Sequence, residues 1–223
     1  MDIKKNTSAV FKAVEHATQQ AGRSTESVKI IAVTKYVDSS IASQLVEAGI
    51  THIGENRVDK FLEKYTSLTD SHLTWHLIGT LQRRKVKDVI NFVDYFHALD
   101  SIKLAQEINK RADKPIKCFL QLNISGETNK HGFSVSELEE VLLQLALFEK
   151  IELIGLMTMA PIDADKEELT SIFAKMKSLQ LELSQRSLPR MPFTELSMGM
   201  SGDFTEAIAN GSTFVRIGSA FFE

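Results

Sequence analysis

The chain holds too little cysteine to be stapled by disulfides: Cys118 is the only one among 223 residues, so no internal pairing exists. It lies in the apolar run Ile116–Leu120, where a small buried hydrophobe is expected rather than a reactive thiol. An unpaired cysteine also fits a reducing compartment. No stretch approaches the ~20 apolar residues that span a bilayer, and the polar opening Met1–Asn6 lacks the apolar core of a signal peptide. A cytoplasmic protein with no membrane partner is therefore expected. Excess charge is missing as well: the net value is −3, which argues against a dedicated nucleic-acid binder. No metal-ligand cluster and no serine–histidine–acid arrangement stands out. Nor is there a Pro-, Gly- or Ser-rich linker. The four prolines, at 115, 161, 189 and 192, fall at predicted junctions, so one domain covering 1–223 is expected.

What the chain does contain is an alternation. Short apolar, β-branched runs occur at Lys29–Lys35, His52–Asn56, Trp75–Gly79, Tyr95–Asp100, Lys117–Asn123, Glu152–Met159, Glu195–Gly199 and Phe214–Gly218. Between them lie helical patterns, among them Ser39–Ala48, Val58–Tyr65, Ile102–Arg111, Ser134–Phe148 and Lys166–Gln185. Repeated strand–helix units predict a parallel sheet. Eight strands favour a closed (β/α)8 barrel of the TIM type over an open flavodoxin-like sheet, the alternative reading. The eighth run is followed by only five residues, which leaves that strand without a helix of its own. The amphipathic segment Ser8–Ala21, with Val10, Phe11, Val14 and Ala17 on one face, is expected to cover it.

In such barrels the chemistry gathers at the carboxyl ends of the strands. Lys35 ends the first run and shares side-chain parity with Ile31 and Val33. Desolvation at a buried strand end would lower its pKa and make it a nucleophilic amine, the route to a Schiff base; the plainer alternative is a lysine that snorkels to solvent. Arg216 lies in the apolar run Phe214–Ile217, where an isolated charge needs a partner. A ring nitrogen of a bound cofactor would serve, and so would an acid such as Glu55. Ser197–Gly199 and Gly218–Ser219 offer small residues and hydroxyls suited to a phosphate, although glycine in a tight loop is also ordinary turn chemistry. The basic run Arg83-Arg84-Lys85-Val86-Lys87 reads as a solvated helix face, with partner docking as the alternative. His131 reads as an exposed loop residue, and the methionines at 157, 159, 198 and 200 as core or pocket lining.

Taken together these segments resemble one family. Ile31–Lys35, His52–Val58, Trp75–Gly79, Leu81-Gln82 with Lys85, His97–Asp100, Asn123–Glu127 with Lys130 and Gly132, Gly155–Met157, Leu196–Ser201 and Arg216–Gly218 are similar to the pyridoxal phosphate homeostasis (YggS/PROSC) proteins along nearly the whole chain. The resemblance implies the fold-type III barrel of the alanine racemase N-terminal domain, with pyridoxal 5′-phosphate held as a Schiff base on Lys35. It further implies Arg216 at the pyridine nitrogen, Asn56 beside the ring, and Ser197, Gly199, Gly218 and Ser219 around the phosphate. Four positions depart from the family's usual residues: Gly202 replaces Asp, Ser219 replaces Thr with the hydroxyl kept, Thr80 replaces Pro, and Arg83-Arg84 replaces Ser-Asn. They bear on loop shape and partner contacts.

The implied function is a monomeric carrier of pyridoxal phosphate in cellular vitamin B6 homeostasis, with no turnover of its own and with apoenzymes as recipients. Two alternatives stand beside it: a single-domain amino-acid racemase, and an adaptor that signals cofactor occupancy. Against the racemase, an arginine at the ring nitrogen discourages its protonation. The second-domain tyrosine of alanine racemases also has no counterpart expected here, since none of Tyr36, Tyr65 and Tyr95 is an obvious second base. Lys130, on a glycine-bearing loop after the fifth strand, is expected to assist cofactor release.

Overall fold

A computed structural model describes residues 2–69, 72–124, 126 and 131–223. Eight parallel strands close into a barrel in sequence order: β1 Lys29–Val33, β2 His52–Glu55, β3 Thr74–Leu77, β4 Tyr95–Leu99, β5 Ile116–Gln121, β6 Ile151–Met157, β7 Glu195–Met200 and β8 Phe214–Ile217. Closure is made by β1 against β8, with Ile31 opposite Arg216 and Ala32 opposite Ile217. This is the barrel expected from the eight apolar runs, and the open-sheet alternative is excluded.

The helices are α1 Ile3–Gln20, α2 Ser39–Glu47, α3 Val58–Ser67, α4 Val86–Val89, α5 Ile102–Arg111, α6 Leu138–Leu145, α7 Lys166–Gln185 and α8 Phe204–Ala209. Local chemistry sets several of their starts. Asp2, Asp38 and Asp165 accept from the amides of Lys5, Ile41 and Glu168 and so satisfy donors that the first turn leaves free. Ser134 and Glu137 form a reciprocal capping box ahead of α6.

α1 does what its amphipathic pattern predicts. It begins earlier than expected, at Ile3, and buries Ile3, Val10, Val14 and Ala17. It packs against α8, α2 and the turn Ser219–Phe221, covering the flank that β8 leaves open. Asn6 Nδ2 donates to the carbonyls of Phe221 at 3.1 Å and Glu223 at 2.7 Å, which pins the end of the chain beside the barrel mouth. At the other end of α1, Arg23 donates to the carbonyls of Ile208 and Ser212 at 2.9 and 2.7 Å.

The core fills the barrel and the layer between strands and helices, with Ile31, Ile53, Phe96, Phe119, Phe214 and Phe221 fully buried. Cys118 is buried within it, and burial pushes its thiol pKa up, which fits an inert packing role. The basic run behaves as a solvated face: Arg83, Arg84 and Lys87 are exposed, while Val86 and Val89 turn inward. No described helix is long and apolar enough to cross a membrane.

Candidate functional site

The carboxyl ends of the strands open onto a cavity of about 1050 Å³. Residues from around the barrel line it: Lys35 and Tyr36 after β1, Asn56 after β2, Ile78 and Gly79 after β3, Gln121 on β5, Met159 and Ile162 after β6, Met200–Asp203 at the end of β7, and Arg216, Gly218 and Ser219 from β8 and its turn. Of the expected site residues, Lys35, Asn56, Arg216, Gly218 and Ser219 are therefore brought together. Lys130 lies outside the described residues.

Lys35 stands two residues beyond β1 and is exposed rather than buried at a strand end. Its amine lies 4.8 Å from the centroid of the Tyr36 ring, a cation–π contact at the cavity rim. Tyr36 thus borders the same cavity, and it is 86% exposed.

Behind this rim sits a buried cluster that the sequence reading missed. Lys64 on α3 has no exposure, and its Nζ donates to Glu55 Oε1 at 2.6 Å and to the Thr34 carbonyl at 3.0 Å. The Thr34 hydroxyl donates to the same Glu55 oxygen at 2.5 Å. The cluster joins the ends of β1 and β2 to α3 immediately before Lys35 and Asn56, and so sets where those two residues project. Asn56 is positioned a second way. A Cβ at Gly79 would collide with the Asn56 backbone, so the glycine allows the two loops to touch.

Arg216 is 4% exposed and donates to Ser197 Oγ at 2.6 Å and to the Thr158 carbonyl at 2.9 Å. The ion pair with Glu55, one of its two expected partners, does not form, because Glu55 belongs to Lys64. Desolvation lowers the Arg216 pKa to about 10, partly offset by Asp203, and the group remains a cation at neutral pH.

The phosphate contacts expected of Ser197 and Gly199 find another use. Ser197 is fully buried, is not part of the cavity lining, and spends its hydroxyl on Arg216 and His97. Gly199 has φ +94°, and a Cβ there would stand 2.7 Å from that of Ala207; it admits α8 against β7 rather than facing the cavity. The part of that segment that does reach the cavity is Met200–Asp203, two to four residues further on. There Ser201 Oγ accepts from the Gly218 amide at 3.2 Å, and Asp203 accepts from the Met200 amide at 2.5 Å. Ser201, Gly202, Gly218 and Ser219 gather small side chains and hydroxyls where two loops meet. Strand parity could not have given this: Ser197 and Gly199 share parity yet face opposite ways, because the register of β7 against β8 is irregular between Ser197 and Met200.

His131 is exposed, as expected, yet it too borders the cavity, with Nδ1 3.2 Å from Asp100 Oδ2. Among the described residues no group of histidines, cysteines and acids could hold a metal ion.

A barrel with a rim lysine, a buried arginine on the last strand and small residues in the last two loops defines a class, and comparison with known proteins agrees. The family model described as "Alanine racemase, N-terminal domain" matches residues 11–223. Solved structures share the barrel. An uncharacterised protein from Bifidobacterium adolescentis superposes with TM-score 0.93 at 32% identity, covering 99% of this chain and 94% of that one. PipY of Synechococcus elongatus PCC7942, solved with PLP bound, superposes with TM-score 0.86 at 31% identity over 100% of both chains. Alanine racemase from Corynebacterium glutamicum shares the fold with TM-score 0.73 at 17% identity, over 99% of this chain and 60% of that one.

Within that class the relationship narrows. The chain is 36% identical to the pyridoxal phosphate homeostasis protein of Aquifex aeolicus, over 100% of this chain and 98% of the relative. It is 32% identical to the Escherichia coli K12 protein of the same name, over 99% and 96%. The chain belongs to the pyridoxal phosphate homeostasis family.

Proposed function

We propose that this protein binds pyridoxal 5′-phosphate and acts in its intracellular homeostasis, holding the cofactor covalently on Lys35 and yielding it to apoenzymes without turnover of its own. The observation that carries the reading is the composition of one cavity. A primary amine (Lys35), a buried guanidinium (Arg216) and a cluster of small hydroxyl and glycine residues (Ser201, Gly202, Gly218, Ser219) line the same space. These match the three recognition needs of an aldehyde-bearing pyridine phosphate. The cofactor supplies an aldehyde that condenses reversibly with an amine, so a protein that holds it limits its reaction with other amines.

Each residue has a task. Lys35 is exposed at the rim, where the link can form and where water or another amine can reach it. Arg216 offers donors to the ring nitrogen and, being a cation itself, disfavours protonation of that nitrogen. Asn56 borders the ring position. Ser219 and Ser201 offer hydroxyls to the phosphate, with Gly218 leaving room for backbone approach. The names of the curated relatives favour a carrier over an enzyme.

The test is direct. Protein mixed with the cofactor, reduced with borohydride and digested should carry the label on Lys35, and Lys35→Ala should lose it. Label on a different lysine would overturn the assignment.

A further inference from the structure

Three consecutive strands each carry one histidine: His52 on β2, His76 on β3 and His97 on β4. Their rings meet in series. His52 Nδ1 lies 2.9 Å from His76 Nε2, and His76 Nδ1 lies 2.9 Å from His97 Nε2. His97 Nδ1 lies 2.8 Å from Ser197 Oγ, which receives Arg216 Nη1 at 2.6 Å. Side chains from five strands thus form one line through the barrel to the floor of the cavity. All but His52 are at most 4% exposed.

The direction of the line follows from its last member. A guanidinium has no acceptor, so Ser197 Oγ accepts from Arg216. The single hydroxyl proton then goes to His97 Nδ1, which makes His97 the Nε2–H tautomer. His97 in turn donates to His76 Nδ1, and His76 to His52 Nδ1. The opposite direction has both Arg216 and His97 donating to Ser197, which strands the hydroxyl proton in a site with no exposure, at the cost of an unmade buried hydrogen bond. An imidazolium at His76 would set its Nδ1–H against the Nε2–H of His97, and one at His97 would set its Nδ1–H against the Ser197 hydroxyl proton. Burial accordingly holds the pKa of His76 and His97 well below the ordinary histidine value, helped by His97 and His52 around the first and by Arg216 beside the second. His52 is lowered to about 4 by burial, with Lys29 lowering it further and Asp94 opposing.

We propose that these three neutral imidazoles, all Nε2–H, are positioning residues for Arg216: a run of aligned dipoles whose lone-pair ends face the guanidinium. Among the described residues no carboxylate lies within ion-pair distance of Arg216; its acceptors are the Ser197 hydroxyl and the Thr158 carbonyl. A buried cation needs polar solvation, and the imidazole line supplies it from the side away from the cavity without a contacting carboxylate. Asp203, in the cavity lining but beyond ion-pair distance, offsets the positive charge only in part. The assignment stands apart from what occupies the cavity. Under the cofactor reading it explains how a full cation is kept facing the ring nitrogen.

The experiment is nitrogen-15 NMR of the cofactor-free protein with labelled histidine, from pH 6 to 8. Expected are three histidines locked as Nε2–H with unprotonated Nδ1, none titrating over that range. A His97 that is Nδ1–H, or any of the three becoming imidazolium in the range, overturns the proposal. Arg216→Met should then release Ser197 to accept from His97, so that His97 loses its single tautomer. An unchanged His97 tautomer in that folded variant would show that Arg216 does not orient the line, and would also overturn it. Neither readout depends on cofactor binding, so failure here and failure of the Lys35 assignment are distinguishable.

Discussion

Lys64 Nζ and Glu55 Oε1 lie 2.6 Å apart with neither side chain exposed to solvent, a buried ion pair directly behind the two loops that carry Lys35 and Asn56. Desolvating two charges is expensive, and the pair is compensated by extra hydrogen bonds: Lys64 also reaches the Thr34 carbonyl, and Thr34 donates back to Glu55. The second carboxylate oxygen, Glu55 Oε2, is buried without a hydrogen-bond partner. Removing one partner should be far worse than removing both. Lys64→Met is expected to destabilise the fold by about 3–5 kcal/mol, because it leaves an uncompensated buried carboxylate. The double change Lys64→Met with Glu55→Leu should recover most of that loss. Urea denaturation measures both. A single variant within ~1 kcal/mol of the parent would show that water or rearrangement satisfies Glu55. Folded variants should also bind pyridoxal phosphate more weakly, since Thr34 and Glu55 immediately precede Lys35 and Asn56.

The barrel was legible because its signals are local. Four of the eight apolar runs contain their strand and the other four fall one residue short at one end, while Ile102–Arg111 and Lys166–Gln185 were located to the residue. The short helices α4 and α8 were not singled out, four and six residues being too few to show a period. In the site, the strand ends indicated which side of the barrel matters, and Lys35, Asn56 and Arg216 do face one cavity. What escaped was pairing across strands. Lys64 reads as an ordinary charge on an amphipathic helix, and only the tertiary fold turns it inward to Glu55. The histidine line had a visible trace, one histidine in each of three successive strands, but its meaning needs the register that sets His76 opposite Gly54 and Tyr95. Ser197 was placed at the phosphate, whereas its buried hydroxyl is taken by Arg216 and His97.

The histidine line predicts a particular acid sensitivity. His52 is lowered to about 4, and His76 and His97 are held well below the ordinary value, by burial first. The unfolded chain therefore takes up protons near pH 6.5 that the folded protein refuses. Their contribution is complete above the unfolded pKa and shrinks as pH falls from about 6.5 towards about 4. Each proton refused costs ~1.4 kcal/mol per pH unit across that window. The carboxylates with lowered values, such as Asp38, Asp59, Glu107 and Glu137, act in the same sense, the unfolded chain taking up the proton first, but weaken the fold only at more acid pH. Urea midpoints between pH 7.5 and 4.5 should fall with a slope of more than one proton. A flat profile between pH 6.5 and 4.5 would contradict the buried neutral line, and His52→Gln should make the slope shallower.

The racemase alternative makes its own demand, which the site is poorly built to meet. Removing an α-proton beside the cofactor is helped by a protonated ring nitrogen that draws off the negative charge. Arg216, still cationic at neutral pH with a pKa of about 10, faces the cavity with donors only, so a nitrogen set against it serves as an acceptor and stays unprotonated. Racemisation also needs a base on each face of the substrate. Tyr36 is the one tyrosine in the cavity lining, and its ring lies 4.8 Å from the Lys35 amine at the exposed rim, beside the lysine rather than across from it. Tyr65 stacks on Phe61 and meets Trp75 at a tilt, and Tyr95 stacks on His76, so both are committed elsewhere. Alanine incubated with the loaded protein in deuterium oxide should exchange its α-proton no faster than with free pyridoxal phosphate at the same concentration. The comparison must include Lys35→Ala, because trace racemase contamination would give exchange that survives the substitution. Exchange that saturates with alanine and vanishes in Lys35→Ala would make the protein an enzyme. Tyr36→Phe would then be the next variant to measure: loss of exchange from one alanine enantiomer alone would identify the tyrosine as the second base.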